Sequence, residues 1–126
     1  MTSLMQQAMR ASTNHLAGLA AESIVASDYK RRGRSIAQAR WRGRGGEIDL
    51  IIRDGDGLIF VEVKKSKTHE QALRRVSRRQ MDRLCAAASE FVATEPRGQL
   101  TDMRFDVATV DQTGTVRIIE NAFMDT

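Results

Sequence analysis

The chain has 126 residues, of which 41% are hydrophobic and 29% charged, which suits one globular domain better than a disordered protein. Its formal net charge is +4, and its single cysteine, Cys85, excludes an intrachain disulfide framework and a cysteine zinc site. Cys85 falls on the apolar side of a predicted helix, so we expect a buried thiol. No apolar stretch approaches the roughly 20 residues of a membrane helix, and the first residues lack a signal-peptide pattern. We therefore expect a cytoplasmic protein with no membrane partner.

The first third of the chain is predicted to contain an arm, a helix and one strand. We expect residues 1–13 to form a flexible arm and residues 14–126 a single domain. A helix is predicted from Asn14 to Arg32, because apolar residues recur at helical spacing, namely Leu16, Leu19, Ala20 and Ile24. A strand is predicted from Ser35 to Trp41, and GRGG at 43–46 marks a turn.

A strand hairpin is the most informative segment. Residues 47–53 and 58–65 are rich in Ile, Val, Leu and Phe, and the DGDG between them is a strong hairpin signal. Arg53 can pair with Leu58, or a tighter turn can pair Asp54 with Gly57. Both choices give the same register between the two strands. The hairpin therefore fixes which side chains face each other.

The last part of the chain adds a helix and a second hairpin. Ser77 and Gln80 form a capping box at the start of a helix predicted from Arg78 to Ala93. RFDVATV at 104–110 and TVRII at 115–119 are predicted to pair across DQTG. The order α-β-β-β-α-β-β indicates an α/β fold with a mixed sheet and helices packed on it. The side of the second helix predicted to face the core comprises Met81, Leu84, Cys85, Ala88, Phe91 and Val92.

The predicted register brings acidic side chains together. Asp49 lies opposite Glu62 and Glu47 opposite Lys64, with Cβ atoms of opposed residues about 4.5–5.5 Å apart. Two facing carboxylates repel unless a proton or cation lies between them, and a divalent hard cation with oxygen ligands fits. The carbonyl of Val63 is a candidate further ligand, and the Lys64 ammonium can orient a water or stabilise charge on a phosphate. An amphipathic hairpin with one solvated face is the alternative interpretation.

These residues resemble a known nuclease signature. Asp49, twelve intervening residues and then Glu62-Val63-Lys64 resemble the PD-(D/E)xK motif without its leading proline. GEIDLI at 46–51 and FVEVK at 60–64 resemble the YraN family of small bacterial proteins, and the likeness extends through the flanking helices and RFDVATV. The resemblance implies a restriction-endonuclease-like fold, similar to that of archaeal Holliday junction resolvases.

The same resemblance assigns roles by position. It implies that Asp49 and Glu62 are metal ligands, that Lys64 is the catalytic lysine, and that Glu22 is the helical acid beside the metal. Glu22 has the alternative of an ordinary surface acid.

Two further residues keep two interpretations each. Gln80 matches a glutamine that follows the motif in some relatives, and capping explains it equally well. Glu47 is either a ligand or an ion-pair partner of Lys64, and we favour the ion pair.

Two basic stretches favour a polyanionic partner. Residues 30–44 carry seven Lys and Arg and no acid, and residues 64–83 carry eight Lys and Arg against two acids. Solvated faces are the alternative. The candidate nucleic-acid contacts are Arg40, Arg42, Arg44, Lys65, Lys67, Arg78 and Arg79.

The function expected from these features is that of a Mg²⁺- or Mn²⁺-dependent endonuclease. It would hydrolyse phosphodiester bonds in nucleic acid, with DNA favoured and branched or junction DNA among the candidate substrates. A non-catalytic nucleic-acid-binding protein that keeps the fold is the alternative, and a protein-interaction domain is a third. The oligomeric state stays open, with a homodimer among the options.

Overall fold

A computed structural model of the protein describes residues 2–123, with the side chains of residues 4–6 and 17–123. It is a five-stranded sheet with one long helix on one face and a shorter helix on the other. Within the described residues, no helix is both long and apolar enough to span a bilayer. The elements are α1 (Thr2–Arg31), β1 (Ser35–Arg42), β2 (Glu47–Asp54), β3 (Gly57–Lys65), α2 (His69–Arg74), α3 (Arg78–Val92), a 3-10 helix (Gly98–Leu100), β4 (Met103–Val110) and β5 (Val116–Ile119).

The sheet is mixed, as predicted, and its strands lie in the order of the sequence. β1, β2 and β3 pair antiparallel, β4 pairs parallel with β3, and β5 returns antiparallel to β4. A parallel pair needs a long crossover, and α2 and α3 supply it. Both predicted hairpins are therefore confirmed.

The hairpin register is also confirmed up to the point where its ladder ends. Arg53 pairs with Leu58 and Asp54 with Gly57, and the last pair recorded toward the open end is Leu50 with Val61. The DGDG turn fixed this register because a two-residue connection leaves the strands no room to slip.

Two apolar clusters cover the two faces of the sheet. On one face, α1 packs Ala21, Val25 and Tyr29 against β2, β3 and β4. On the other face, α3 packs against the hairpin through residues that include Leu84 and Phe91. The mixed α/β class follows from this layered arrangement.

The first helix departs from its prediction in two ways. It begins at Thr2, so residues 2–13, expected as an arm, continue the helix, and Met1 lies outside the described residues. Its buried stripe is one position later than predicted, because Ala20 is exposed and Ala21 is buried. The Tyr29 hydroxyl donates a 2.8 Å hydrogen bond to buried Asp106, which turns this face of the helix toward the sheet.

The crossover corrects two further predictions. The six-residue α2 was not predicted, although Thr68 caps it by accepting from the Gln71 N–H at 3.1 Å. Thr68-x-x-Gln71 is a capping signature that sequence inspection could have found. In α3 the Cys85 thiol is exposed, not buried, because the apolar side centres on Ala87 and Ala88.

Candidate metal centre

The candidate site lies where β2 and β3 separate. The pairing of β2 with β3 ends at Leu50 and Val61, and the Asp49 carboxylate accepts the Val63 N–H at 2.9 Å. A side-chain oxygen thus takes the place of a strand carbonyl. This bond fixes the orientation of one Asp49 oxygen and holds the carboxylate between the two strands.

Glu62 and Lys64 follow on the same face of β3. The Lys64 Nζ lies 3.2 Å from Glu62 Oε1, and the two side chains are only 13% and 15% exposed, respectively. The predicted ion pair between Glu47 and Lys64 is wrong. Because the strands separate beyond Leu50, Lys64 reaches the acid two residues back on its own strand instead.

Glu47 and Glu22 turn toward β1. Glu47 pairs with Arg42 at 3.3 Å and with Arg40 at 3.8 Å, and Arg40 also lies 3.9 Å from Glu22. One guanidinium therefore stands between an acid of α1 and an acid of β2. The structure brings the predicted helical acid to the same group of charges as Asp49.

Arg40 occupies an unusual backbone position. Ala39 pairs with Leu50 and Trp41 with Ile48, so Arg40 stands opposite Asp49 at a break in the ladder. Its φ is 54°, in the left-handed region that non-glycine residues rarely adopt. Such strain persists only where surrounding contacts enforce it, and here it lies beside the carboxylates.

The electrostatics of the acids are unfavourable to ionisation. Burial, reinforced by Asp49, raises the pKa of Glu62 to about 7, although Lys64 opposes the shift. Burial and then Asp49 likewise raise the pKa of Glu22 to about 7, against the effect of Arg40. Burial raises the pKa of Asp49, partly offset by the Val63 N–H and Lys64. The basic neighbours therefore do not fully compensate this group of acids.

A cavity of about 200 Å³ opens onto these acids from the α3 side. Its lining includes Glu47, Asp49 and Glu62 from the hairpin and Gln80 and Arg83 from α3. Gln80 also completes the predicted capping box, with its Oε1 accepting the Ser77 N–H at 3.2 Å. Sequence inspection missed Arg83, which carries no motif signal beyond its place in a basic stretch.

The donor set suits one kind of metal ion better than others. Among the side chains described, no group of three or more His, Cys, Asp or Glu is arranged to hold a metal. The donors at the site are the carboxylates of Asp49 and Glu62 and the carbonyl of Val63. Mg²⁺ is commonly bound by one or two carboxylates with waters and substrate phosphates completing its shell, so these residues fit it.

The predicted nucleic-acid contacts fall into three groups. Arg40 lies within the site. Lys65 is half-buried, and the Lys65 carbonyl accepts a 2.6 Å hydrogen bond from Arg75. Lys64, Lys65 and Arg75 also line a second cavity of about 370 Å³ beside Ala17 and Gly18 of α1. The remaining contacts are exposed, namely Arg42, Arg44, Lys67, Arg78 and Arg79.

Comparison with known proteins identifies the family of this chain but does not indicate an activity. The model of the uncharacterised protein family UPF0102 matches residues 21–110, which include every acid of the site. A UPF0102 protein of Ruegeria pomeroyi is 60% identical over 92% of this chain and 94% of its own length. One from Cereibacter sphaeroides is 61% identical over 91% and 98%, and one from Dinoroseobacter shibae is 43% identical over 86% and 81%.

Proposed function

This chain belongs to the uncharacterised protein family UPF0102, and we propose that it is a metal-dependent nuclease that hydrolyses phosphodiester bonds in DNA. The observation that carries the proposal is the meeting of Asp49, Glu62 and Lys64 at the open end of one hairpin. Two half-buried carboxylates with raised pKa values need a cation or protons, and a lysine stands 3.2 Å from one of them. Among the described side chains, Glu62 pairs with Lys64 and Asp49 forms no ion pair, so one lysine faces two carboxylates.

Each residue has a role that its position supports. Asp49, Glu62 and the Val63 carbonyl would hold Mg²⁺ or Mn²⁺. When bound, such an ion polarises a phosphoryl oxygen and lowers the pKa of a coordinated water. The Lys64 ammonium would stabilise the negative charge that builds on the phosphate as the bond breaks. Glu22 would hold a further water on the α1 side.

We also propose that the fold is restriction-endonuclease-like. This proposal is supported by the mixed sheet, in which the β2–β3 hairpin carries Asp49 and Glu62, with α1 on one face and α3 on the other. α1 carries Glu22 to the open end of that hairpin, where Arg40 links it to Glu47.

DNA is proposed as the substrate because exposed arginines and lysines flank the site on two sides. β1 and the loop after it present Arg42 and Arg44, and the N-terminal turn of α3 presents Arg78 and Arg79. A surface this wide suits duplex or branched DNA better than a mononucleotide. Cations that contact phosphates release counterions, so affinity should fall steeply with added salt.

A cleavage assay tests the proposal directly. Duplex, single-stranded, flapped and four-way-junction DNA would be incubated with the protein and Mg²⁺, Mn²⁺ or chelator. We expect metal-dependent cleavage of at least one DNA by the wild type and by Asp54→Asn, an acid at the closed end of the same hairpin. Asp49→Asn and Glu62→Gln should lose it. Cleavage that survives both substitutions would place the chemistry elsewhere.

A non-catalytic nucleic-acid-binding protein is the second candidate. The Lys64–Glu62 ion pair favours it, because a ligand carboxylate already engaged by a lysine binds a metal less readily. Salt-dependent binding of the same DNA panel without cleavage in either metal would support this candidate over the first.

A further inference from the structure

We infer that Arg83 binds a phosphate of the nucleic-acid substrate in the cavity that holds the carboxylates. The inference rests on the proposed function and adds a residue that no motif indicates. Arg83 would supply, from α3, the positive charge opposite the carboxylates of the hairpin.

The loop between β1 and β2 brings α3 against the site. Glu90 of α3 accepts from the Arg44 N–H at 2.8 Å and from the Gly45 N–H at 3.5 Å. A Cβ built on Gly45 would lie 3.1 Å from the Ala86 Cβ, and one on Gly46 would lie 3.6 Å from the Arg83 Cβ. A side chain at Gly45 would therefore crowd α3, whereas the spacing between Gly46 and Arg83 is an ordinary contact. In this arrangement Arg83 lines the same cavity as Asp49.

Within the part of the chain that the structure describes, Arg83 has no side-chain partner in this cavity. Among the side chains that the structure describes, none forms a hydrogen bond or ion pair with its guanidinium. The acids that line the same cavity have other partners: Glu47 pairs with Arg42, and Glu62 with Lys64. The guanidinium is thus an unneutralised cation beside an acidic group that does not engage it.

A phosphate is the ligand that this arrangement fits. The guanidinium presents parallel N–H donors whose spacing matches two phosphate oxygens. A phosphate placed between Arg83 and a cation on Asp49 and Glu62 would be neutralised from both sides. A carboxylate ligand would gain the same Arg83 contact, but the basic surface around the cavity favours a polyanion over a single acid.

Kinetics and binding of three variants test the inference. Arg83→Ala, Arg83→Lys and Arg97→Ala would be compared on the DNA that the wild type cleaves, in Mg²⁺ or Mn²⁺. Arg97 is the matched control, since it is an exposed arginine at the closed end of the hairpin. We expect Arg83→Ala to lower kcat about 10²-fold with its melting temperature unchanged, and Arg83→Lys to recover part of the loss. The slope of log affinity against log salt should fall by about one.

The outcomes separate this inference from the proposed function. If the wild type binds DNA and cleaves none, the nuclease proposal fails and the salt slope alone decides for or against Arg83. If Arg83→Ala matches Arg97→Ala in kcat and in salt slope, the inference is wrong and the nuclease proposal is untouched. If the wild type neither binds nor cleaves any DNA of the panel, both are wrong.

Discussion

The two ends of the β2–β3 hairpin differ in how their charges are balanced. At the closed end, Asp54 pairs with Arg34, and Arg53 forms a two-pronged ion pair with Glu95. At the open end, burial and then the charge of Asp49 raise the pKa of Glu62, and Lys64 opposes these effects only in part. The strands are the same, and the register runs unbroken from one end to Leu50.

This difference shows how one hairpin can serve two purposes. Where Arg53 and Asp54 have partners of opposite charge and the ladder is complete, the segment contributes to the fold. At the open end the ladder stops, and the Asp49 carboxylate accepts the Val63 N–H. There the surrounding structure holds the negative charges of Asp49 and Glu62 close to each other. Perturbed pKa values in a cleft are typical of functional sites, although structural ion-pair networks produce them too. Matched substitutions at the two ends therefore distinguish a functional site from a structural ion-pair network.

The largest expected effect is on catalysis. Lys64→Ala should lower the cleavage rate about 10³-fold, because the ammonium that stabilises charge on the phosphate is lost. Metal binding should remain, since an ammonium is not a ligand. Arg34→Ala, which breaks the ion pair at the closed end, should cleave like the wild type. Rate assays with calorimetric metal titrations would check both, and equal rates for the two variants would remove Lys64 from the mechanism.

The next effect concerns metal-dependent stability. In a hundredfold excess over its dissociation constant, a metal that binds only the folded protein adds about 2.7 kcal/mol. Wild type and Asp54→Asn should both gain this, whereas Asp49→Asn should gain little. In chelator, Asp49→Asn should match or slightly exceed the wild type, because repulsion is relieved while the amide oxygen can still accept the Val63 N–H. Melting curves with chelator and with metal would decide, and equal gains would place the ion elsewhere.

A smaller effect is expected in the pH dependence of the metal-free protein. Burial and then the Asp49 charge raise the pKa of Glu62 from its ordinary value of 4.5 to about 7 in the folded protein. Between these values the folded state binds more protons than the unfolded state, so stability is lost as pH rises through this window. At about 1.4 kcal/mol per pKa unit, less a reduction for partial exposure, the loss is on the order of 2 kcal/mol.

Urea unfolding in chelator at pH 5 and pH 8 would measure this loss. Glu62→Gln should make the profile shallower, since the amide does not titrate, and the slope that is left comes from Glu22 and Asp49, whose pKa values are also raised. A profile that is as steep in Glu62→Gln as in the wild type would assign the effect to another group.

The smallest effect isolates backbone strain at the open end. Arg40→Gly and Arg40→Ala remove the same charge, but only glycine adopts a φ of 54° without strain. The glycine variant should be about 1 kcal/mol more stable than the alanine variant. At Arg42, which has no positive φ, the alanine variant should instead be more stable than the glycine variant, by about 0.5–1 kcal/mol. Chemical denaturation of the four variants would measure these differences. An alanine variant at least as stable as the glycine variant at position 40, as expected at position 42, would show that the backbone of Arg40 is unstrained.

The sequence predicted the hairpin well because its information is local. The alternation of apolar residues and the DGDG turn together determine which side chains face each other. The same reasoning failed at Lys64, because where two strands separate depends on what inserts between them. Nothing in the period of the strands indicates that Asp49 accepts the Val63 N–H.

Other features depend on contacts distant in sequence. The face that α1 buries is set by Tyr29 and its hydrogen bond to Asp106 in β4. The place of Arg83 in the site is set by the close packing of α3 on Gly45. Such placements require the assembled fold, so pattern and propensity alone do not supply them.

The hydrogen bond between Tyr29 and Asp106 also has a consequence for the order of folding. It joins residues 77 apart in sequence, whereas the hairpin of Asp49 and Glu62 closes over a short loop. Short-range pairing forms before long-range docking in most small domains. The two hairpin acids should therefore meet early, and Glu22 should reach them only after β4 has joined the sheet. Pulse-labelled hydrogen exchange during refolding should accordingly protect the backbone amides that pair β2 with β3 before the amides of β4 that pair it with β3.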